Sequence, residues 1–151
     1  MKEISLQIPI KPLSINQKFS LHSKRRMFIK SAKAVNYERE LNTYLKPFDD
    51  LLRGIGLNYI KTKHSFSFDV EIFVPQHEFF TKRGTINEKC IDVTNAFKIL
   101  EDALFKRIGV DDSQITQASI SKNPWPRETW SCIVRIKLIN APKSSYLDQD
   151  I

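Results

Sequence analysis

The sequence predicts an α+β fold: a small single domain with a mixed or antiparallel sheet of four or five strands and two main helices packed on one face. The chain has 151 residues, which is enough for one domain with a real core and short for two. Several segments alternate apolar and polar residues as strands do, and two others repeat apolar residues at helical spacing. We expect the domain to cover residues 1–140 and a polar C-terminal tail to cover 141–151.

The first part of the chain predicts a strand, a hairpin and a helix. Alternation from Ile4 to Ile10 is typical of a strand with one solvent face, and Pro9 on that face suits a sheet edge. The basic residues 24–26 precede a short apolar patch, as in a basic hairpin. Ser31 is suited to cap a helix that Pro47 interrupts. The residues that repeat at helical spacing in it are Ala34, Tyr37, Leu41, Tyr44 and Leu45.

The middle of the chain predicts a second strand and a long connection. Apolar residues alternate strictly from Phe66 to Val74, and the pattern ends at Pro75. The connection over residues 76–91 is longer than most in compact domains, and long loops of this kind are often functional.

A helix is predicted between Asp92 and Gly109. Asp92 or Thr94 offers a side-chain oxygen to the free amides of a helix start, and Gly109 suits the left-handed conformation that ends a helix. At about 100° per residue most of the apolar residues fall on one arc that faces a core. The opposite side is predicted to carry Thr94, Lys98, Glu101 and Phe105. Two further strands are predicted at 114–122 and 130–138.

Composition and charge narrow the classes of protein. Hydrophobic residues at 41% and charged residues at 27% are ordinary globular values, and no apolar run is long enough to cross a bilayer. The start of the chain shows no signal-peptide pattern, which favours a cytoplasmic protein. Cys90 and Cys132 belong to no CxxC spacing, so two reduced thiols are expected rather than a disulfide or a zinc site.

An excess of basic over acidic residues points to nucleic acid as a partner. Lys and Arg number 24 against 17 Asp and Glu, giving a formal charge of +7. Such a charge raises the local concentration of a polyanion, although a solvated surface explains the same excess.

Acidic residues at both ends of the predicted helix suggest a metal site. Carboxylates are the hard oxygen ligands that Mg²⁺ prefers, and one or two suffice when a phosphate completes the shell. If the loop after Gly109 folds back, Asp92 and Asp112 converge. Lys98, on the polar side, is then placed to stabilise charge developing on a scissile phosphate. On spacing alone, a capped helix with surface charges is the favoured explanation of these residues.

A spaced set of residues adds to this interpretation. It runs Asp92-x-x-Asn95-x-x-Lys98-x-x-x-Asp102-Ala103-Leu104, then Gly109-Val110-Asp111-Asp112-Ser113-Gln114 and Lys122, with Pro12-x-Ser14-x-Asn16 near the N-terminus. The set resembles the signature of the RusA family of Holliday junction resolvases. The resemblance covers most of the chain and is dense from Asp92 to Lys122.

The resemblance implies an Mg²⁺-dependent endonuclease, with Mn²⁺ as an alternative ion. It implies a homodimer that places paired nicks across a four-way DNA junction in DNA recombination and repair. The residues that match the family's catalytic positions are Asp92, Lys98 and Asp112. The family often occurs in phages and prophages, so the expected location is the cytoplasm of a bacterium or of a phage-infected host.

The chain departs from the family pattern at Thr94, where the best-known members carry the second aspartate of a D-x-D-N motif. The predicted metal ligands are Asp92, Asp112, Asp111 and Thr94. Glu101 lies about 10 Å farther along the helix axis than Thr94 and is interpreted as a partner of Lys98. A weakened or inactive site, in a protein that binds junctions or DNA without cutting them, is the alternative.

Residues outside the motif are candidates for DNA contact. We predict phosphate contacts by Lys82, Arg83, Lys122 and Asn16, and solvated loop charges are the alternative for Lys82 and Arg83. Aromatic residues that either stack on bases at a junction, form a dimer contact or are simply buried are Phe79, Phe80 and Phe105. A relative that hydrolyses another phosphoester remains a further reading, because fold does not fix function.

Overall fold

The computed structural model describes residues 2–13, 19–22 and 27–144, with the side chains of 19–22, 27–30 and 95 outside that description. Asn16, the basic segment 24–26 and residues 145–151 of the predicted tail lie outside the described residues. The strands are β1 (Glu3–Ile8), β2 (Phe19–His22), β3 (Met27–Lys30), β4 (His64–Pro75), β5 (Ile115–Trp125) and β6 (Ser131–Asn140). The α-helices are α1 (Ala32–Leu45), α2 (Asp49–Leu57), α3 (Gln76–Phe79) and α4 (Val93–Ile108).

Four of the strands form one mixed sheet in the order β1-β6-β4-β5. β6 is antiparallel to β1 and β4, whereas β5 runs parallel to β4 and forms an edge. β2 and β3 form a separate antiparallel pair. The predicted α+β class is therefore confirmed, and β1 lies at the edge that Pro9 suggested.

One face of the sheet carries the core. The register places Ile4 beside Ile136 and Ile136 beside Phe68, and all three are buried. The next row on the opposite face is polar, with Ser5, Arg135, Asp69 and Ser119 side by side. Residues of α1, α2 and α4 join the apolar face in one buried cluster, so the helices cover that face.

The start of α1 follows the prediction, but the helix after it was not predicted. The Ser31 hydroxyl accepts a hydrogen bond from the Ala34 amide at 3.1 Å and caps α1. Pro47 lies in a single 3₁₀ turn, and α2 then begins with Asp49 and Asp50, whose charges favour a helix N-terminus. α2 was missed because its nine residues contain two glycines and give a short apolar pattern.

α4 has the predicted ends and a wider apolar arc than predicted. The Asp92 carboxylate accepts a hydrogen bond from the Thr94 amide at 3.1 Å, and Gly109 has φ 80°. The prediction that Phe105 lies on the polar side is wrong: its ring is 3% exposed and meets Phe66 edge-on at 5.3 Å between centroids. α4 packs against both the sheet and α2, so two of its sides are apolar.

The long connection after β4 is partly ordered as a hairpin. Phe80 pairs with Ile86, and the Gly84 amide donates to the Thr81 carbonyl at 2.9 Å in a turn where Gly84 has φ 81°. Phe79 is buried, whereas Phe80 is 36% exposed. None of the described helices combines the length and apolar character needed to span a membrane.

Candidate active site

Lys98 lies among three carboxylates. Its Nζ donates to Oδ2 of Asp112 at 2.7 Å and to Oε1 of Glu101 at 3.0 Å. Oδ1 of Asp102 lies 3.2 Å from the same nitrogen. The ammonium therefore holds together an acidic cluster, which we define as Glu101, Asp102 and Asp112.

Helix spacing and one turn of the chain assemble this cluster. Glu101 and Asp102 follow Lys98 by three and four residues, which places all three side chains on one side of α4. The left-handed Gly109 ends the helix and lets the chain turn back. Asp112 then begins a single 3₁₀ turn, from which its carboxylate reaches Lys98. The predicted return of the loop after Gly109 is present, and it brings Asp112 to Lys98.

The hydrogen bonds and the burial separate the protonation behaviour of these groups. Hydrogen bonds to Asp112 and then to Glu101 raise the pKa of Lys98. Hydrogen bonding with Glu101 and with Lys98 lowers the pKa of Asp112. Burial raises the pKa of Glu101, whose side chain is 12% exposed. Lys98 is consequently charged and Asp112 ionised at neutral pH, and Glu101 takes up a proton before Asp112 on acidification.

The acidic cluster has the chemistry of a divalent-cation site. One oxygen from each of its three carboxylates lies within 4.8 Å of the others, and among the described residues this is the group close enough to share an ion. Oxygen ligands of this kind suit Mg²⁺ and Mn²⁺. Three carboxylates against one ammonium leave an excess of negative charge, which a divalent cation would balance.

Asp92 lies at the other end of α4 and is not part of this group. Ten residues at about 1.5 Å each place the Cα of Asp102 about 15 Å along the helix from that of Asp92. Asp92 lines a separate cavity of about 480 Å³, which Lys11, Pro12 and Trp130 also line. The expected convergence of Asp92 with Asp112 on one ion stays a prediction.

Other matched residues collect around Asp92. The Lys122 ammonium donates to the carbonyl of Ile91 at 3.4 Å. Ile91 immediately precedes Asp92, so Lys122 lies beside the start of α4. Pro12, the first residue of the matched N-terminal segment, lines the same cavity as Asp92. Three residues that are far apart in the sequence thus lie near the start of α4: Asp92, Lys122 and Pro12.

The two auxiliary ligands predicted from the sequence already have protein partners. The Thr94 hydroxyl donates to Asp92 at 2.7 Å. The Asp111 carboxylate accepts a hydrogen bond from the Ser113 amide at 2.8 Å, and hydrogen bonds with Ser113 lower the pKa of Asp111. Thr94 therefore supports Asp92, and Asp111 caps the turn that presents Asp112.

Lys82 and Arg83 lie at the exposed turn of the hairpin.

Glu101 is a partner of Lys98, as the sequence suggested. The sequence interpretation did not place Glu101 and Asp102 together with Asp112. The available signal was their spacing of three and four residues from Lys98, which puts them on the lysine's side of the helix.

The fold and the site define a class: a small basic α+β protein with a lysine-linked carboxylate cluster suited to phosphoryl chemistry. The family model described as endodeoxyribonuclease RusA matches residues 9–137. The chain belongs to the RusA family of endodeoxyribonucleases, which resolve Holliday junctions by divalent-metal-dependent cleavage. No curated protein matches the chain significantly.

Proposed function

We propose that the protein cuts four-way DNA junctions by Mg²⁺-dependent phosphodiester hydrolysis, with Mn²⁺ as an alternative ion, in DNA recombination and repair. The observation that carries the proposal is the Lys98 ammonium 2.7 Å from the Asp112 carboxylate. These two residues match catalytic positions of the family, and neither is fully buried.

Asp112 is the central ligand in this proposal. Further donors come from Glu101 and Asp102 of the acidic cluster or from Asp92, the family-matched residue at the start of α4. Mg²⁺ keeps several waters and needs one or two protein carboxylates, so either set suffices. A bound divalent cation activates water and polarises the phosphate.

Lys98 supplies the positive charge for the transition state. It is held by hydrogen bonds, and its exposed fraction of 48% leaves it accessible to a phosphate. A preorganised ammonium stabilises negative charge developing on the phosphate oxygens. If the carboxylates of the acidic cluster held an ion, Lys98 would be free to donate to the substrate instead of to them.

The DNA strand is proposed to follow the exposed edge strand β5. β5 leads from the turn that carries Asp112 back to Lys122 beside Asp92, so the two ends of the site are joined by one surface. Lys122 at one end and Lys82 with Arg83 on the hairpin are proposed phosphate contacts, and such contacts position the DNA without reading its sequence. Asn16 belongs to the same proposed set.

A homodimer is part of this proposal. A four-way junction has two equivalent strands to cut, and two copies related by a two-fold axis present two equivalent sites. We expect a mass in solution of twice the chain mass, measured by light scattering, and nicks that appear in symmetric pairs. The proposed location is the cytoplasm of a bacterium or of a phage-infected host.

Asp112→Asn tests the cleavage step. On a synthetic four-way junction with Mg²⁺, we expect the variant to lose nicking and to bind the junction as tightly or more tightly, because a negative charge near the phosphate is gone. Nick formation on gels and junction affinity by mobility shift are the measurements. Asp50→Asn removes an equal charge from an exposed position on α2 and should cut normally. Normal cutting by Asp112→Asn would rule out Asp112 as a ligand.

A second set of variants separates the two ligand sets. Mn²⁺ affinity is measured by calorimetric titration. Glu101→Gln should lose affinity if the acidic cluster holds the ion, and Asp92→Asn should lose it if Asp92 and Asp112 hold the ion.

The wild-type protein also distinguishes the rival functions. A mobility shift without nicks would indicate a junction-binding protein, and neither a shift nor nicks would indicate a different phosphoester substrate.

A further inference from the structure

A second cavity lies beside the one that contains Asp92. It has a volume of about 580 Å³ and is bounded by the hairpin after α3 and by the turn after β5, and we call it the aromatic cleft. His77 lines both the aromatic cleft and the Asp92 cavity, so the two adjoin. The side chains that give the cleft its chemistry are Phe80, Lys82, Trp125, Arg127, His77 and Glu128.

Two aromatic rings in the cleft are held in place by the fold. The Trp125 ring packs on Phe73 with 5.3 Å between centroids, and its indole N–H donates to the Thr129 carbonyl at 2.9 Å. Phe80 meets Phe79 edge-on at 4.9 Å and remains 36% exposed. Rigid aromatic surface that stays open to solvent is the usual platform for stacking a nucleobase.

Cations accompany these rings. The Arg127 guanidinium lies 5.3 Å from the centre of the Trp125 ring, and Lys82 extends from the hairpin. The acidic residue of the cleft, Glu128, lies 3.6 Å from His77. Aromatic rings next to basic side chains match a base and its phosphate, whereas an apolar peptide segment would leave these cations desolvated.

We propose that the aromatic cleft receives one unpaired nucleobase of the DNA strand that is proposed to follow β5 to Lys122. This inference rests on the proposed function, since it concerns the same DNA substrate. Bases at the centre of a branched junction are less constrained than those in a duplex, so displacing one costs less. On binding, the base stacks on Trp125, and Arg127 moves from the ring to the adjoining phosphate.

The test measures how much affinity depends on both the indole ring and the base. Four-way junctions with normal nucleotides or with abasic sites at the crossover are bound to the wild-type chain and to Trp125→Ala without divalent metal, so that no cutting occurs. We expect the wild type to bind the junction with bases about tenfold more tightly than the abasic one, as one stacked base contributes. Trp125→Ala should lose this difference, and Trp125→Phe should keep most of it.

Two further variants guard against misfolding. Phe80→Ala removes the other ring from a partly exposed position and should also reduce the difference, which keeps the proposal testable if Trp125→Ala does not fold. Ile86→Ala alters the strand position paired with Phe80, is 58% exposed and lies outside the cleft, so it should behave as wild type.

The outcomes separate this inference from the proposed function. Paired nicking by the wild type together with equal affinity for both junctions would overturn the cleft as a base site and leave the nuclease proposal intact. No junction binding by the wild type would overturn both. If Trp125→Ala halves the solution mass of a dimer, the cleft is an interface between two copies, and the base site is likewise overturned.

Discussion

At the scale of the residue, Lys98 contacts all three carboxylates of the acidic cluster. Glu101, Asp102 and Asp112 place carboxylate oxygens close enough to repel one another, and the ammonium between them offsets that repulsion. In the proposed reaction the same ammonium would have a different task, because it would face the phosphate. One residue thus links the stability of the metal-free protein to the chemistry proposed for the metal-bound one.

Lys98→Met is the test at the scale of the residue. Without the ammonium, the repelling carboxylates should lower the free energy of unfolding by about 0.2–1 kcal/mol, the range for exposed ion pairs, as measured in urea. Mn²⁺ should then raise the melting temperature of the variant more than that of the wild type, because a cation binds an uncompensated cluster more tightly. Junction nicking should be lost.

Lys61→Met, at an exposed position after α2, is the control and should leave both the Mn²⁺ response and nicking unchanged. An equal Mn²⁺ response in Lys98→Met and the wild type would contradict a metal site at the acidic cluster.

At the scale of the element, α4 provides most of the residues of the candidate site. It begins at the Asp92 cap, presents Lys98, Glu101 and Asp102 on one side, and ends at Gly109. The sequence predicted both ends because capping depends on local geometry. It misplaced Phe105 because the width of the buried arc depends on what packs against the helix, and α2, which covers a second side, was not predicted.

Gly109→Ala tests the turn that returns Asp112 to Lys98. Nothing lies within 4 Å of a Cβ built at Gly109, so the effect isolates the backbone at φ 80°. A left-handed conformation costs an L-residue about 1–2 kcal/mol, which should appear as an equal loss in the free energy of unfolding in urea. Nicking should fall as well, since relaxation of the turn moves Asp112.

Gly54→Ala, in the interior of α2, also has open space for its Cβ and serves as the matched control. It should be neutral or stabilising by up to about 1 kcal/mol, because alanine favours a helix over glycine. A Gly109→Ala variant as stable as the wild type would show that the turn adapts without cost.

At the scale of the whole molecule, α2 packs closely against α4, the helix that carries the candidate site. Gly56 lies against the carbonyl of Ile108, the last residue of α4, and a Cβ at Gly56 would fall well inside contact distance of that oxygen. Glycine is needed there for close approach, not for a special φ. At the N-terminal end of α2, Asp49 also pairs with α4, through Arg107.

Gly56→Ala is therefore expected to push α2 away from α4. Overpacking of this kind costs about 1–3 kcal/mol, measurable as a lower urea midpoint with an unchanged slope. Gly54→Ala, two residues earlier in the same helix, again provides the comparison and should show no such loss. Equal stability of the two variants would contradict the close packing of α2 on the end of α4.

The sequence by itself determined the four strands of the sheet, the caps of α1 and α4, and the resemblance that led to the family. These features depend on residues near one another in the chain, such as Ser31 with Ala34 or the alternation that ends at Pro75. Only the tertiary structure decided which carboxylates meet Lys98, and that Lys122 reaches the segment before Asp92. The reason is physical: local periodicity sets the face on which a side chain lies, but the partner across that face depends on how the chain returns, and here Gly109 and the packing of α4 decide the return.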